Sequence, residues 1–150
     1  MSPRGSLEVI VNVGMFVQAD AGELGRAVRH TLSSQGIQEA EISLTLLDDA
    51  GIRHLNLRYL AQDRTTDVIA FSLGGGPAPL GDVYLGFEEA RRQAGEVGVP
   101  LAEELVRLAV HGTLHVLGHD HPEGPEREGS PMFELQESLV REIVGRAARD

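Results

Sequence analysis

The order of apolar and polar residues predicts two strands and a helix in the first third of the chain. Apolar and polar side chains alternate from Leu7 to Val13, which is the period of a half-buried β-strand. The alternation returns from Glu41 to Leu47 and predicts a second strand. Between them, Ala21 to Gln35 repeats apolar residues every three or four positions, as an amphipathic helix does. Asp20 and Glu23 have the spacing of a capping box and mark the start of this helix.

The middle of the chain predicts a short helix followed by a β-hairpin. Asp48 or Asp49 is suited to cap a helix that ends at Tyr59. The residues of this helix expected to face inward are Ile52, Leu55 and Tyr59. Two strands are predicted next, from Asp67 to Leu73 and from Gly81 to Gly86. The turn between them is rich in glycine and proline.

Three further helices are predicted in the second half. One runs from Phe87 to Val97, and another begins near Pro100, a residue suited to the first helical position. The last begins at Ser130-Pro131. Its inward-facing residues are expected to be Met132, Leu135, Leu139 and Ile143. The pattern therefore predicts one small α+β domain spanning residues 1–150, in which a mixed sheet of about four strands packs with about five helices.

Composition narrows the possible partners and environment. The net charge is -10, and all 13 basic residues are arginine, so a generally basic nucleic-acid-binding surface is excluded. An RNA-binding role would need a local cleft, for which Arg53, Arg58 and Arg64 are the candidates. Cysteine is absent, so a metal ion would have to be held by histidine or carboxylate. No apolar run suggests a membrane span or a signal peptide, and a cytoplasmic location is expected.

A cluster of histidines follows the leucines of the predicted fourth helix. His111 and His115 are four residues apart, which places both imidazoles on one helix face. Gly118 allows the chain to leave the helix, so that His121 can fold back. Three imidazoles without a fourth protein ligand are typical of a catalytic Zn²⁺ site with an open position for water.

The same spacing, H-x3-H-x2-G-x2-H, occurs in metzincin proteases, and the sequence predicts a metzincin-like zinc helix. Those proteases carry a glutamate general base directly after the first histidine, where this chain has Gly112. A zinc metalloprotease or amidase would therefore lack its base. His119 is an alternative third ligand, although the spacing favours His121. The histidines could also be ordinary surface or helix residues.

Four segments resemble the YbeY family of bacterial zinc-dependent endoribonucleases, which are also described as rRNA maturation factors. Residues 111–121 read HGTLHVLGHDH and resemble the family signature HGxLHLxGYDH. Residues 55–71 read LNLRYLAQDRTTDVIAF and resemble LNxxYRxxDxPTDVLSFP. Residues 80–83 resemble the family's LGDI strand, and Met132 with Glu137 resembles a Met-x4-Glu pattern.

The resemblance implies one Zn²⁺ per chain and cleavage of single-stranded rRNA during 16S rRNA 3′-end maturation and ribosome quality control. It also implies the small ribosomal subunit and its assembly factors as partners, with neither DNA nor a membrane expected. Two residues depart from the family pattern. His119 stands where the family usually has tyrosine, and Leu60 replaces an arginine that is thought to hold RNA or to stabilise charge on phosphate.

The predicted metal ligands are His111, His115 and His121. The predicted catalytic residues are His119, Asp120, Arg58 and Arg64. Asp120 either orients a ligand imidazole or is a turn residue that bonds its own backbone. Met132 either lies beneath the metal or belongs to the core, and Glu137 either bonds a ligand histidine or lies on an exposed helix face.

Three functions are consistent with these residues. The first is a zinc-dependent endoribonuclease, in which the metal ion assists phosphodiester hydrolysis. The second is a zinc metalloprotease or amidase, against which Gly112 argues. The third is a non-catalytic ribosome assembly factor with a structural zinc, which the loss of arginine at Leu60 favours.

Overall fold

The structure is a computed structural model that describes residues 6–74, 76–122 and 124–149. Outside the described residues lie Gly75 in the predicted hairpin turn, Glu123 before the last predicted helix, and both chain ends. The strands are β1 (Leu7–Asn12), β2 (Ala40–Leu47), β3 (Val68–Gly74) and β4 (Leu80–Gly86). The α-helices are α1 (Ala21–Ser34), α2 (Asp49–Leu60), α3 (Phe87–Val97), α4 (Leu101–Val116) and α5 (Pro131–Arg149), and a 3₁₀ helix spans Gly124–Gly129.

The four strands form one mixed sheet in the order β1-β2-β4-β3. β1 pairs with β2 and β2 pairs with β4 in parallel, whereas β3 and β4 pair antiparallel. The predicted β3–β4 hairpin and the predicted mixed α+β fold are therefore confirmed. Among the described helices, none is both long and apolar enough to cross a lipid bilayer.

Helix α4 lies at the centre of the fold and is buried along most of its length. It packs on β3 and β4 with one face and contacts α1, α3 and α5 with the others. Two glycines allow its close approach to the sheet. A Cβ at Gly112 would lie 2.5 Å from Val83 Cγ1, and a Cβ at Gly81 would lie 2.5 Å from Val116 Cγ1. Larger residues at either position would push the histidine-bearing helix away from the sheet.

The helix boundaries agree closely with the capping pattern. Asp20 Oδ1 accepts a hydrogen bond from the backbone N–H of Glu23 at 3.1 Å, as the capping box predicts. Asp48 is the N-cap of α2 and accepts from Gly51 N–H at 2.7 Å. Pro100 was expected at the first helical position of α4 but is its N-cap, so the helix begins one residue later, at Leu101.

The prediction that Tyr59 faces inward is wrong. Its exposed fraction is 56%, and Asn56 is the residue that α2 buries together with Ile52. The side-chain amide of Asn56 donates to the backbone oxygen of Arg64 at 3.0 Å and so ties α2 to the following loop. A polar residue can occupy this buried position because the loop supplies its hydrogen-bond partner.

Candidate metal centre

The three predicted ligands come together at the C-terminal end of α4. His111 and His115 project from successive turns, and their Nε2 atoms are 3.0 Å apart. The ring centroid of His121 lies 5.1 Å from that of His111 and 5.2 Å from that of His115. One ring nitrogen from each residue lies within 4.8 Å of the others, so this cluster could hold a metal ion.

The end of α4 brings His121 back toward the helix. Gly118 has φ +95°, a left-handed conformation that glycine adopts readily. The backbone N–H of Gly118 bonds His115 O, and that of His119 bonds Leu114 O, both at 3.0 Å. These bonds satisfy the last carbonyls of the helix and reverse the chain, as glycine-terminated helices commonly do.

The ring nitrogens that point away from the cluster have their own partners. His111 Nδ1 lies 2.6 Å from Gln136 Oε1, and His121 Nδ1 lies 3.0 Å from the backbone oxygen of Pro122. Both partners are oxygens that only accept, so both Nδ1 atoms carry a proton in the neutral imidazole. The unprotonated Nε2 atoms of these two residues are then available as ligands.

Burial keeps two of the imidazoles in the form that binds metal. Desolvation lowers the pKa of His111 to about 4, against the opposing effect of the hydrogen bond that His111 donates to Gln136. Desolvation and the nearby His121 lower the pKa of His115, while the charge of Asp120 acts in the opposite direction. His111 is therefore neutral at neutral pH, and only a neutral imidazole offers a lone pair to a metal ion.

The cluster opens into a cavity of about 550 Å³. Its walls come from β3, from the loop before β3, and from the 3₁₀ helix that follows His121. Arg64 and Arg127 are the arginines among its lining residues, and Leu60 and Asp67 line it as well. The charge of Arg127 contributes to the lowered pKa of both His111 and His115, and that of Asp67 opposes the shift at His111. The cavity therefore combines three imidazoles with two guanidinium groups and one carboxylate.

Of the predicted arginines, Arg64 lines this cavity, and Arg58 and Arg53 lie outside it. Arg64 is exposed, and its Nε and Nη2 atoms donate to Gln62 Oε1 at 3.0 and 2.8 Å. The guanidinium carbon of Arg58 lies 5.6 Å from the centre of the Tyr59 ring. Arg53 is paired with Asp63 at 2.6 Å, with both side chains exposed. The separation of Arg58 from Leu60 follows from the helix, because residues two apart point in different directions.

Asp120 and His119 occupy the turn after α4. Asp120 Oδ1 accepts from the backbone N–H of His121 at 2.8 Å, which is the turn geometry considered as an alternative for this residue. His119 lines a neighbouring depression, where its Nε2 lies 3.2 Å from Gln35 Oε1. Ser72 lines both this depression and the metal cavity, so the two adjoin. The catalytic roles of Asp120 and His119 stay predictions.

Three residues around the cluster clarify the open alternatives. Met132 is 3% exposed and packs in the hydrophobic core. Glu137 bonds Arg107 and Gln136 and reaches His111 only through Gln136. Position 112 faces Val83 of the sheet rather than the cavity, so a glutamate base could not be accommodated there without displacing α4.

Sequence reasoning missed Gln136 and Arg127. Gln136 is only 4% exposed, and its position four residues after Met132 and three before Leu139 lies within the apolar stripe of α5. The signal that could have identified Gln136 is a polar residue at an inward-facing position. A buried amide needs hydrogen-bond partners, so such a residue indicates a polar contact inside the fold. Arg127 gave no such signal, because it lies in a stretch of proline, glycine and charged residues without apolar periodicity, which forms the 3₁₀ helix.

Comparisons with known proteins give one family description and one similar fold. The family model described as endoribonuclease YbeY matches residues 16–144. A protein named endoribonuclease YbeY from Pelotomaculum thermopropionicum is 44% identical, with 86% of this chain and 87% of that protein covered. One of the same name from Desulfitobacterium hafniense is 39% identical, with 95% and 88% covered. The solution structure of TM1509 from Thermotoga maritima has the same fold, with a TM-score of 0.63, 24% identity, and 96% and 93% of the two chains covered.

Proposed function

The chain belongs to the endoribonuclease YbeY family, and we propose that it is a zinc-dependent endoribonuclease that hydrolyses single-stranded RNA. The observation that carries this proposal is the opening of the three-histidine cluster into a cavity that also presents Arg64 and Arg127. A metal site beside two guanidinium groups suits a phosphodiester substrate. Each guanidinium group can donate hydrogen bonds to two phosphate oxygens at once. The relatives' names support the RNA substrate.

The donor set fits Zn²⁺. His111, His115 and His121 supply three imidazole nitrogens, as in many catalytic zinc sites, and the cavity leaves space for a further ligand. When bound, the metal ion supplies Lewis-acid chemistry at a phosphoryl oxygen and activates water. The imidazoles bonded to Gln136 and Pro122 are held in orientation by these contacts, which do not depend on the metal.

The remaining residues are proposed to bind and orient RNA. Arg64 and Arg127 hold the phosphate at the cavity, and Arg58 contacts a flanking part of the strand. His119 contacts the nucleotide that occupies the depression beside the cavity. Asp120 acts as a positioning residue, because its bond to the backbone of His121 fixes the turn that carries this ligand. A net charge of -10 implies that affinity depends on these local groups.

The biological substrate is proposed to be rRNA in the cytoplasm. The family resemblance supports a role in 16S rRNA 3′-end maturation and ribosome quality control, with the small ribosomal subunit and its assembly factors as partners. Neither DNA nor a membrane is expected to be a partner. A non-catalytic assembly factor with a structural zinc is the alternative, and the observation that favours it is Leu60 on the cavity wall.

The test is a cleavage assay on the full chain, stripped of metal with a chelator and then reloaded with one equivalent of Zn²⁺. Labelled single-stranded RNA, duplex RNA and single-stranded DNA of one sequence are compared. The proposal expects zinc-dependent cleavage of single-stranded RNA and its loss when the three histidines are replaced together by alanine. Stoichiometric zinc without cleavage of any RNA, including small-subunit rRNA precursors, would favour the assembly factor instead.

A further inference from the structure

A chain of hydrogen-bonded polar side chains, none of which lines the cavity, connects α5 to the metal cluster. Gln136 is 4% exposed among the apolar residues of α5, and its Oε1 lies 2.6 Å from His111 Nδ1. An apolar side chain at this position would continue the stripe formed by Met132 and Leu139. Burial of an amide costs free energy unless each of its groups is hydrogen-bonded. The position therefore serves something other than packing.

The direction of the Gln136 amide matters for metal binding. With its oxygen toward His111, the amide accepts the Nδ1 proton and leaves Nε2 free to bind metal. With the amide turned by 180°, its NH₂ group would face Nδ1, which would then have to accept. The ring proton would move to Nε2, on the side of the other two histidines, and His111 could not act as a ligand there.

Glu137 selects the productive direction. The NH₂ group of Gln136 donates to Glu137 Oε2 at 3.0 Å. In the turned amide the Gln136 oxygen would instead face this carboxylate, and two acceptors would meet without a proton between them. Burial by itself would raise the pKa of Glu137, but hydrogen bonds from Arg107 and Gln136 hold it below its usual range. Glu137 is thus a permanent acceptor at neutral pH.

Arg107 fixes Glu137 in turn and closes the chain of contacts on α4. Its Nε donates to Glu137 Oε2 at 2.8 Å, and its Nη2 donates to Glu137 Oε1 at 3.0 Å. This two-point contact specifies the plane of the carboxylate. Arg107 is also bonded to Glu104 at 2.8 Å and to Glu103 at 3.1 Å, so its own position is determined. It lies four residues before His111, on the same face of α4.

We propose that Arg107, Glu137 and Gln136 form a positioning chain that holds His111 in the tautomer protonated at Nδ1 and thereby presents its Nε2 to the metal. This inference rests on the metal-binding part of the proposed function. Gln136 acts through His111 and does not touch the substrate. Loss of such a partner typically lowers metal affinity by about 10- to 100-fold.

The experiment measures Zn²⁺ affinity by competition with a chelator, and the His111 tautomer by long-range ¹H–¹⁵N correlation spectra of the metal-free protein at pH 7. Gln136→Leu removes the acceptor and is expected to weaken Zn²⁺ binding by about 10- to 100-fold and to populate the Nε2-protonated form. The double variant Gln136→Glu/Glu137→Gln keeps an acceptor toward His111 and an amide donor between positions 136 and 137, and is expected to retain most of the affinity. Glu137→Gln leaves the amide direction unselected and is expected to give a smaller loss.

Glu134→Gln is the matched control, because Glu134 is exposed and lies three residues before Glu137 on the same helix. It should change neither affinity nor tautomer. Unchanged affinity and tautomer in both Gln136→Leu and Glu137→Gln would overturn the inference. If Gln136→Leu does not fold, an unchanged tautomer in Glu137→Gln, or a large loss of affinity in the double variant Gln136→Glu/Glu137→Gln, overturns it equally. Neither measurement uses RNA, so a protein that shows the expected tautomer and affinities but cleaves no RNA would contradict the proposed function and leave this inference standing.

Discussion

The metal centre has two unlike sides: on the helix side, formed by α4 and α5, the innermost polar groups are buried and paired, whereas the cavity side presents charged groups to solvent. On the helix side, His111 and Gln136 are both less than one-tenth exposed and bonded to each other. On the cavity side, Arg64 is exposed, and the hydrogen bonds of its guanidinium group among the described residues go only to Gln62. A buried, hydrogen-bonded ligand beside exposed arginines suits the proposed enzyme. Such an enzyme must hold its metal ion tightly and a flexible RNA strand weakly.

The largest expected effect comes from removing a metal ligand on the helix side. His111→Ala is expected to lower Zn²⁺ content to a small fraction of one per chain, because two histidines alone leave the site with too few ligands. Cleavage should fall by at least about 100-fold, as expected when an essential group is lost. His54→Ala is the control, since His54 is exposed on α2, and it should keep full zinc content by elemental analysis. Stoichiometric zinc in His111→Ala would refute the ligand assignment.

The second prediction tests the close contact between α4 and the sheet. A Cβ at Gly112 would lie 2.5 Å from Val83 Cγ1 and 3.2 Å from Val68 Cγ2. Gly112→Ala is therefore expected to lower the free energy of unfolding by about 1–3 kcal/mol, the usual cost of overpacking. Gly95→Ala is the matched control, because Gly95 lies in α3 with no atom within 4 Å of a new Cβ. That variant should be neutral or slightly stabilising in denaturant titrations. Equal stability of both variants would show that α4 can move from the sheet.

Much of the helix side could be predicted from the sequence, because its ligands are close together along the chain. His111, His115 and His121 fall within eleven residues, and helical spacing alone places two of them on one face. Their partner Gln136 belongs to a different helix, so its contact depends on how α4 and α5 pack. The apolar stripe of α5 could have marked Gln136 as an inward-facing polar residue, but it could not have shown the contact with His111.

The cavity side was less predictable, because its residues are far apart in sequence. Leu60 and Arg64 come from the end of α2 and its loop, whereas Arg127 comes from the 3₁₀ helix. Arg58 lies two residues before Leu60 and is predicted from the sequence to be catalytic, but its guanidinium group lies over the Tyr59 ring and outside the cavity. The order of the strands could not be predicted either, because β2 pairs with β4 although β3 lies between them in the sequence. Alternation predicts which residues form strands but does not specify their neighbours.

The third prediction compares Arg127, which lines the cavity, with Arg58, which lies outside it. Arg127→Ala is expected to weaken binding of single-stranded RNA by about tenfold and to reduce the slope of log K against log salt by about one, as for one lost phosphate contact. Zinc content should not change, because Arg127 is not a ligand. Arg58→Ala is the comparison, and its smaller effect is expected because Arg58 lies outside the cavity. Equal losses for the two variants, measured by fluorescence anisotropy over a salt series, would show that location in the cavity does not matter.

The last and smallest expected effect concerns Leu60, where the resembled family has arginine. Its side chain lines the cavity, so Leu60→Arg would add a third cation there. Because Arg64 and Arg127 already provide positive charge, we expect kcat/KM for RNA cleavage to rise by no more than about threefold, well below the effect of a sole preorganised group. In the Arg127→Ala background the same substitution should restore most of the lost activity, since two residues that contact one phosphate are not additive. A gain of about 100-fold from Leu60→Arg alone would show instead that the natural cavity lacks a catalytic cation and that Arg64 and Arg127 do not supply it.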